Sequence, residues 1–197
     1  ELNGISCIDV EELPEKKSIC TSRSFADQGV TDHSVLEEAV ANFAASCSDK
    51  LRRQKSCCRG ITVFAYTSRF RTDVPPHVIH QSVTLSTPTQ SSAEIIGAAL
   101  HLLRANMRKE TYAYKKAGVI LWDISSCLQI QQDLFDPIDR EKQAALMKAI
   151  DAINKKNGRD KIRVAVQGTD FRFGLKREFL SKQYTTNIKD IIVAKAE

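Results

Sequence analysis

At 197 residues with 42% hydrophobic and 27% charged residues, the chain has the composition of a folded globular protein, which excludes disorder as its default state. No apolar run approaches the roughly 20 residues needed to cross a bilayer and no charged-then-apolar leader opens the chain, so it reads as soluble and intracellular. The net charge of +5 divides as −5 over residues 1–15, +6 over 16–127, −2 over 128–140 and +6 over 141–197, a pattern of two basic modules facing polyanions with an acidic segment between them. A solvated surface is the competing account of the same charges.

In chain order, residues 1–15 form an acidic, Pro-containing lead-in, and a chain that begins with Glu1 rather than Met reads as a piece of a longer protein. Ser18 to Phe25 reads as a strand. Leu36, Val40, Phe43, Cys47 and Leu51 then recur at helical spacing behind the capping candidates Asp32 and Ser34, predicting a helix over about 33–55. Strands follow at Gly60 to Ser68, where Ile61, Val63 and Ala65 alternate with Thr62, Phe64 and Tyr66, and at Val78 to Leu85. A second helix has Ser91 and Glu94 as a capping box and Ile96, Ala99, Leu100, Leu103 and Met107 as its apolar stripe, ending near Arg108. A strand from Tyr112 to Ile124 completes the order β-α-β-β-α-β. Two right-handed crossovers in that order give an α+β, ferredoxin-like split fold with both helices on one face of a four-stranded sheet and the other face open.

After Ile124 the polar, Pro-terminated stretch Ser125 to Pro137 reads as an exposed linker. A third helix follows, with Leu146, Ile150 and Ile153 on one side and Asn157-Gly158 as its stop; a strand at Lys161 to Val166 and a short helix around Leu175 to Leu180 would complete a small α/β module.

Catalytic chemistry is not visible. Nucleotide transfer requires clustered carboxylates to hold Mg²⁺ ions, and Asp9, Glu11 and Glu12 instead sit in the solvated lead-in. No Gly-rich phosphate loop, G-x-S-x-G elbow or H-E-x-x-H pattern occurs. The six cysteines, Cys7, Cys20, Cys47, Cys57, Cys58 and Cys127, make no C-x-x-C pair and no metal spacing with a histidine, so they read as reduced thiols, and His77 and His80 as ordinary loop or strand residues.

Binding residues are better marked. In Thr21-Ser22-Arg23-Ser24, short hydroxyls flank an arginine on a strand, a set that can hydrogen-bond phosphate oxygens without reading sequence. Lys115 and Lys116 on the last strand, with Arg59, Arg69 and Arg71 near the middle pair, add positive charge around an open sheet. An RNA-recognition module shares this element order, but its aromatic-glycine signature is absent and only Phe64 and Tyr66 point toward it.

Five stretches taken together carry a family resemblance: Ser18 to Phe25 with Val30-Thr31-Asp32, Leu85 to Gln90, Tyr114 to Val119, Asp133 to Asp136, and Gln183 to Thr186. On these the chain resembles the C-terminal half of the UmuC-type catalytic subunit of bacterial DNA polymerase V, a Y-family translesion polymerase of the SOS response. The resemblance implies that residues 1–15 are the tether from a missing thumb and that 16–126 are a little-finger domain. The implied role of that domain is to lie in the DNA major groove and hold the template-primer backbone through Thr21, Ser22, Arg23 and Ser24 and through Lys115 and Lys116.

Residues 127–139 become a linker in which Gln131, Gln132, Asp133, Leu134 and Phe135 are similar to the family's sliding-clamp motif, with Gln132 in place of the usual leucine. Residues 140–197 become the small C-terminal extension of this branch. Further implications are that the fragment carries no catalytic site and no cofactor, Mg²⁺ belonging to the missing catalytic domain. The implied location is bacterial cytoplasm and the nucleoid, with the cleaved accessory dimer and the RecA filament as candidate partners. A module that docks SOS proteins without DNA affinity of its own is the alternative.

Overall fold

The computed structural model describes residues 4, 16–25, 29–73, 75–108, 112–129, 136–158, 160–170 and 179–193. Its elements run β1 (Ser18–Ser24), α1 (His33–Arg53), β2 (Ser56–Thr67), β3 (Val78–Thr89), α2 (Ser92–Asn106), β4 (Tyr114–Ser126) and α3 (Arg140–Asn157). The strands form one antiparallel sheet in the order β1-β4-β2-β3, so β4 lies between β1 and β2, and β2 lies between β3 and β4. Each helix therefore crosses over an intervening strand, the split arrangement of a ferredoxin-like α+β fold. α1 packs on β1, β4 and β2, α2 packs on β3 and β2, and the helices touch each other.

Strand periodicity decides which side chains meet those helices. Three cross-strand rows face them: Ile19–Leu121–Ile61–Val83, Thr21–Val119–Val63–Gln81 and Arg23–Ala117–Ala65–Ile79. Ile61, Val63, Ala65, Ala117, Val119 and Leu121 are fully buried beneath the α1 stripe of Leu36, Ala39, Val40, Cys47 and Leu51 and the α2 stripe of Ile95, Ala99 and Leu103. Burying each large apolar side chain contributes about 1.5–3 kcal/mol, so these rows and stripes are the main source of stability. α1 starts where Asp32 Oδ1 accepts a 2.8 Å bond from the Ser34 amide, and its last turn carries Lys50, Arg52 and Arg53, favourable for the helix dipole.

Four expectations are corrected. Ser91 is the backbone cap of α2, but neither bond of the box forms: its hydroxyl makes no capping bond, and its amide donates to Thr89 Oγ1 (3.1 Å) instead of Glu94, whose carboxylate accepts from Thr89 Oγ1 (3.0 Å) and from Arg140 Nη1 (2.9 Å to each oxygen). α3 does not bury the predicted side: Leu146 and Ile153 are 56% and 40% exposed, while Met147, next to Leu146, is the buried residue. Ion pairs join the helix to α1 through Arg52 and Asp151 and to α2 through Glu94 and Arg140. The strand predicted over Lys161 to Val166 is absent; these residues form a bend and the start of a 3₁₀ turn, Ala165–Gln167, whose Gln167 reaches Asn42 instead of a sheet partner. Consequently, among the described residues, the part after Ser126 is helix and turn rather than α/β. The helix predicted around Leu175 to Leu180 falls largely outside the described residues.

α3 is tied back to the first module. Arg52 donates to both Asp151 oxygens (2.7 and 2.8 Å) and also to Ser92 Oγ and the Gln90 carbonyl. Arg140 is held between Glu94 and Asp136. Asn42 and Gln167 exchange bonds, and Gly168, at φ +68, sits where a side chain would collide with Glu38.

Candidate nucleic-acid interface

The residues that alternate with the buried rows form the uncovered face of the sheet. Read across β1, β4, β2 and β3, its rows are Ser18–Trp122–Gly60–Thr84, Cys20–Ile120–Thr62–Ser82, Ser22–Gly118–Phe64–His80 and Ser24–Lys116–Tyr66–Val78. None of these residues is a carboxylate. Short hydroxyls occupy the edge strands β1 and β3, and the aromatics Trp122, Phe64 and Tyr66 occupy the two central strands.

Apart from Arg59, the predicted phosphate ligands are brought toward one end of the sheet but split between its faces. Ser22 and Ser24 lie on the uncovered face, opposite Gly118 and Lys116. Thr21 and Arg23 share the side of Ile19, because alternation from a buried isoleucine leaves them no other choice. Thr21 Oγ1 accepts from Lys50 Nζ (2.9 Å) and the Cys47 thiol (3.2 Å), while Arg23 stays partly exposed at the end of its row. The register steps from Tyr66↔Lys116 to Thr67↔Tyr114, leaving Lys115 as an extra residue on β4, a bulge that swings Tyr114 into the core at 1% exposure. Arg59 is at the opposite end of β2, with Nε 2.9 Å from the Leu85 carbonyl. Arg69 is exposed in the loop after β2, at the Lys116 end, and its neighbour Arg71 is paired with Asp73. Gln131, Gln132, Asp133, Leu134 and Phe135 lie outside the described residues. The segment's flanks are a 3₁₀ turn at Cys127–Gln129 on one side and, on the other, Asp136, whose carboxylate the Arg140 guanidinium holds below the usual carboxylate range.

Sequence reasoning missed Trp122. An alanine-type Cβ placed on Gly60 would lie 2.2 Å from indole Cδ2 and Cε2, so the ring lies against the bare backbone of the neighbouring strand. Indole Nε1 donates to Thr62 Oγ1 (2.9 Å), and the Thr62 hydroxyl is in turn bonded to Ser82 Oγ (2.8 Å). The tip of the Phe64 ring, Cζ and Cε1, reaches over Gly118 beside the Ser22 Cβ, and the Phe64 and Tyr66 rings are parallel within 17° at 6.3 Å. The available signal was parity: Trp122 is two residues from Ile120 and four from Gly118, on a strand already predicted.

The remaining reactive groups have structural surroundings. Burial pushes the Cys58 thiol up to about 12 and Cys57 higher still, so neither is a ready nucleophile. Among the described residues no cluster of His, Cys, Asp and Glu could hold a metal ion. His77 stacks on Tyr112 at 4.3 Å and bonds the Tyr114 hydroxyl at 2.9 Å, a packed loop histidine. No described helix is long and apolar enough to cross a membrane.

Residues 16–134 match the impB/mucB/samB family C-terminal domain, and residues 144–194 match a domain of unknown function, DUF4113. Among curated relatives, the chain is 40% identical over 197 residues to protein UmuC of Salmonella typhimurium, 40% identical over 197 residues to protein ImpB of the same species, and 38% identical over 196 residues to protein MucB of Escherichia coli. The alignments take in 98–99% of this chain but 46% of each relative, so the chain spans about half their length. With a family model covering most of the sheet-and-helix module and UmuC-type identity continuing to the end of the chain, this protein belongs to the impB/mucB/samB family, of which it carries the C-terminal domain.

Proposed function

We propose that this chain is the non-catalytic, DNA-gripping and clamp-tethering part of an error-prone Y-family translesion polymerase of the SOS response. The observation that carries the reading is the uncovered sheet face: free of carboxylates in all its rows, edged by serine and threonine hydroxyls, and flanked at one end by Lys116, Lys115, Arg23 and Arg69. Hydroxyls and cations on strands suit the phosphates of template-primer DNA and supply register without sequence readout. On this reading Ser22, Ser24 and Lys116 touch phosphates from the face, Arg23, Lys115 and Arg69 from its end, and Arg59 from the far end, with Thr21 supporting the strand from behind. Gln131 to Phe135 bind the sliding clamp, the catalytic Mg²⁺ ions belong to a domain outside this chain, and the protein works in the bacterial cytoplasm.

The reading is tested by titrating the 197-residue chain into labelled primer-template DNA at rising salt. Binding that weakens steeply with salt and is indifferent to sequence supports it; no binding at about 50 mM salt refutes it. A second reading, docking of SOS proteins, is favoured by the exposed Leu146 and Ile153, one apolar strip on α3. Capture of the accessory dimer or the RecA filament by a chain that ignores DNA would select that alternative.

A further inference from the structure

The gripping reading accounts for the hydroxyls and cations of the uncovered face but not for the rings at its centre. Trp122, Phe64 and Tyr66 lie on the two central strands, and Tyr66 and Trp122 are six strand positions apart along the ladder, about 20 Å, the length of several nucleotides. The atoms of Trp122 nearest the Gly60 backbone are Cδ2 and Cε2, the pair shared by both indole rings. An edge-on ring would present its rim there, so the indole covers the glycine with one face and turns the other outward, and the residue is partly exposed. Its N–H is already satisfied by Thr62, which is itself held by Ser82, so the ring is fixed before any ligand arrives. Glycine at 60 and 118 is what lets rings on adjacent strands lie this close to the sheet.

We propose that this face stacks unpaired nucleobases on Trp122, Phe64 and Tyr66, so that single-stranded DNA is a ligand in its own right. The inference rests on the DNA-gripping reading and names the strand form it takes. Bases inside a duplex have both faces covered by their neighbours and offer nothing to a ring, whereas every unpaired base has a free π-face. The absence of carboxylates from all the rows, and the position of Ser22, Ser24 and Lys116 beside Phe64 and Tyr66, leave the strand's phosphates a place next to the stacked bases. A protein partner would need no such exclusion of acids.

Trp122 is the only tryptophan in the chain and therefore reports on its own contact. The 197-residue protein is titrated with a short oligothymidylate, with an abasic strand of equal length and charge, and with a duplex, following tryptophan emission and fluorescence anisotropy. Stacking predicts quenching by the oligothymidylate alone and affinity about tenfold above the abasic strand, an advantage lost in the Phe64→Leu/Tyr66→Leu variant while its melting temperature and salt dependence stay as in the parent. Equal affinity for the two single strands with unchanged emission overturns the stacking and leaves the backbone grip standing. Failure of every strand and of the duplex to bind at about 50 mM salt overturns both.

Discussion

Replacing Gly60 with alanine tests whether the indole lies where the fold places it. Gly60 does not need the left-handed region, so the backbone accepts alanine and the conflict falls on Trp122 alone. The new methyl would lie 2.2 Å from the ring, and ordinary contact begins near 3.4 Å, so the indole must retreat by more than an ångström and release its 2.9 Å bond to Thr62. Overpacking of this kind costs about 1–3 kcal/mol and a neutral hydrogen bond about 1 kcal/mol, with water replacing part of the latter at a half-exposed site. A net loss of about 2 kcal/mol corresponds to a fall in melting temperature of about 4–8 °C for a chain of this size.

The control is Gly97→Ala on α2, where nothing lies within 4 Å of the added methyl; it should stabilise by about 0.5–1 kcal/mol through helix propensity. Thermal unfolding followed by tryptophan emission reads both stability and ring position. A Gly60→Ala protein as stable as the parent, with unshifted emission, would refute the placement of the ring and with it the stacking surface.

Other perturbations address the second module, the pH response and the clamp. Arg52, 11% exposed and shared between Asp151, Ser92 and Gln90, should cost about 2 kcal/mol of α3 docking when changed to methionine. Hydrogen exchange should then rise in α3 and remain slow in β2 and β4; equal protection in both proteins would show the pair to be incidental. Arg140 lowers the pKa of Asp136, and the Ser34 hydroxyl and amide lower that of Asp32. Depressed carboxyls contribute stability above their unfolded pKa of about 3.9 and lose it as pH falls below, so the melting temperature should be flat from pH 7 to 5 and decline below about pH 4. Asp136→Asn should flatten that acid limb, and a decline already between pH 7 and 5 would contradict the assignment. Leu134→Ala/Phe135→Ala should abolish binding to the sliding clamp, expected at roughly micromolar strength since each buried side chain contributes about 1.5–3 kcal/mol before ordering costs, and should leave DNA binding intact. Parental clamp affinity in that variant, or an unfolded variant, would defeat the motif.

The elements of the sheet module were legible because each carries its own period. The stripe from Leu36 to Leu51 and the alternation from Ile61 to Tyr66 require no knowledge of partners. What was not legible depends on pairing between distant strands. β2 begins at Ser56 and β3 continues to Thr89, beyond the readable alternation, because the start of β2 is paired in regular register to the end of β4 and the end of β3 is paired to β2 across a register shift. Lys115 looks like an ordinary strand residue beside Lys116, yet the bulge at 115 makes one a corner residue and the other a face residue. Thr21 and Arg23 could have been assigned to the helix side from Ile19 by parity alone. The seat of Trp122 on Gly60 could not, since it requires knowing that position 122 faces position 60. On α3, the spacing that puts Leu146 and Ile153 on one side says nothing of the partners that Asp151 and Arg140 find on α1 and α2, or of the burial of Met147.

The grip itself is tested most directly by the salt dependence of primer-template binding in the parent and in Lys115→Ala/Lys116→Ala. Each phosphate neutralised contributes a slope of about −0.9 in log K against log salt, so removal of both lysines should flatten the line by roughly two units while the melting temperature is retained. A slope unchanged in the double variant would remove this end of the sheet from the DNA and contradict the central claim.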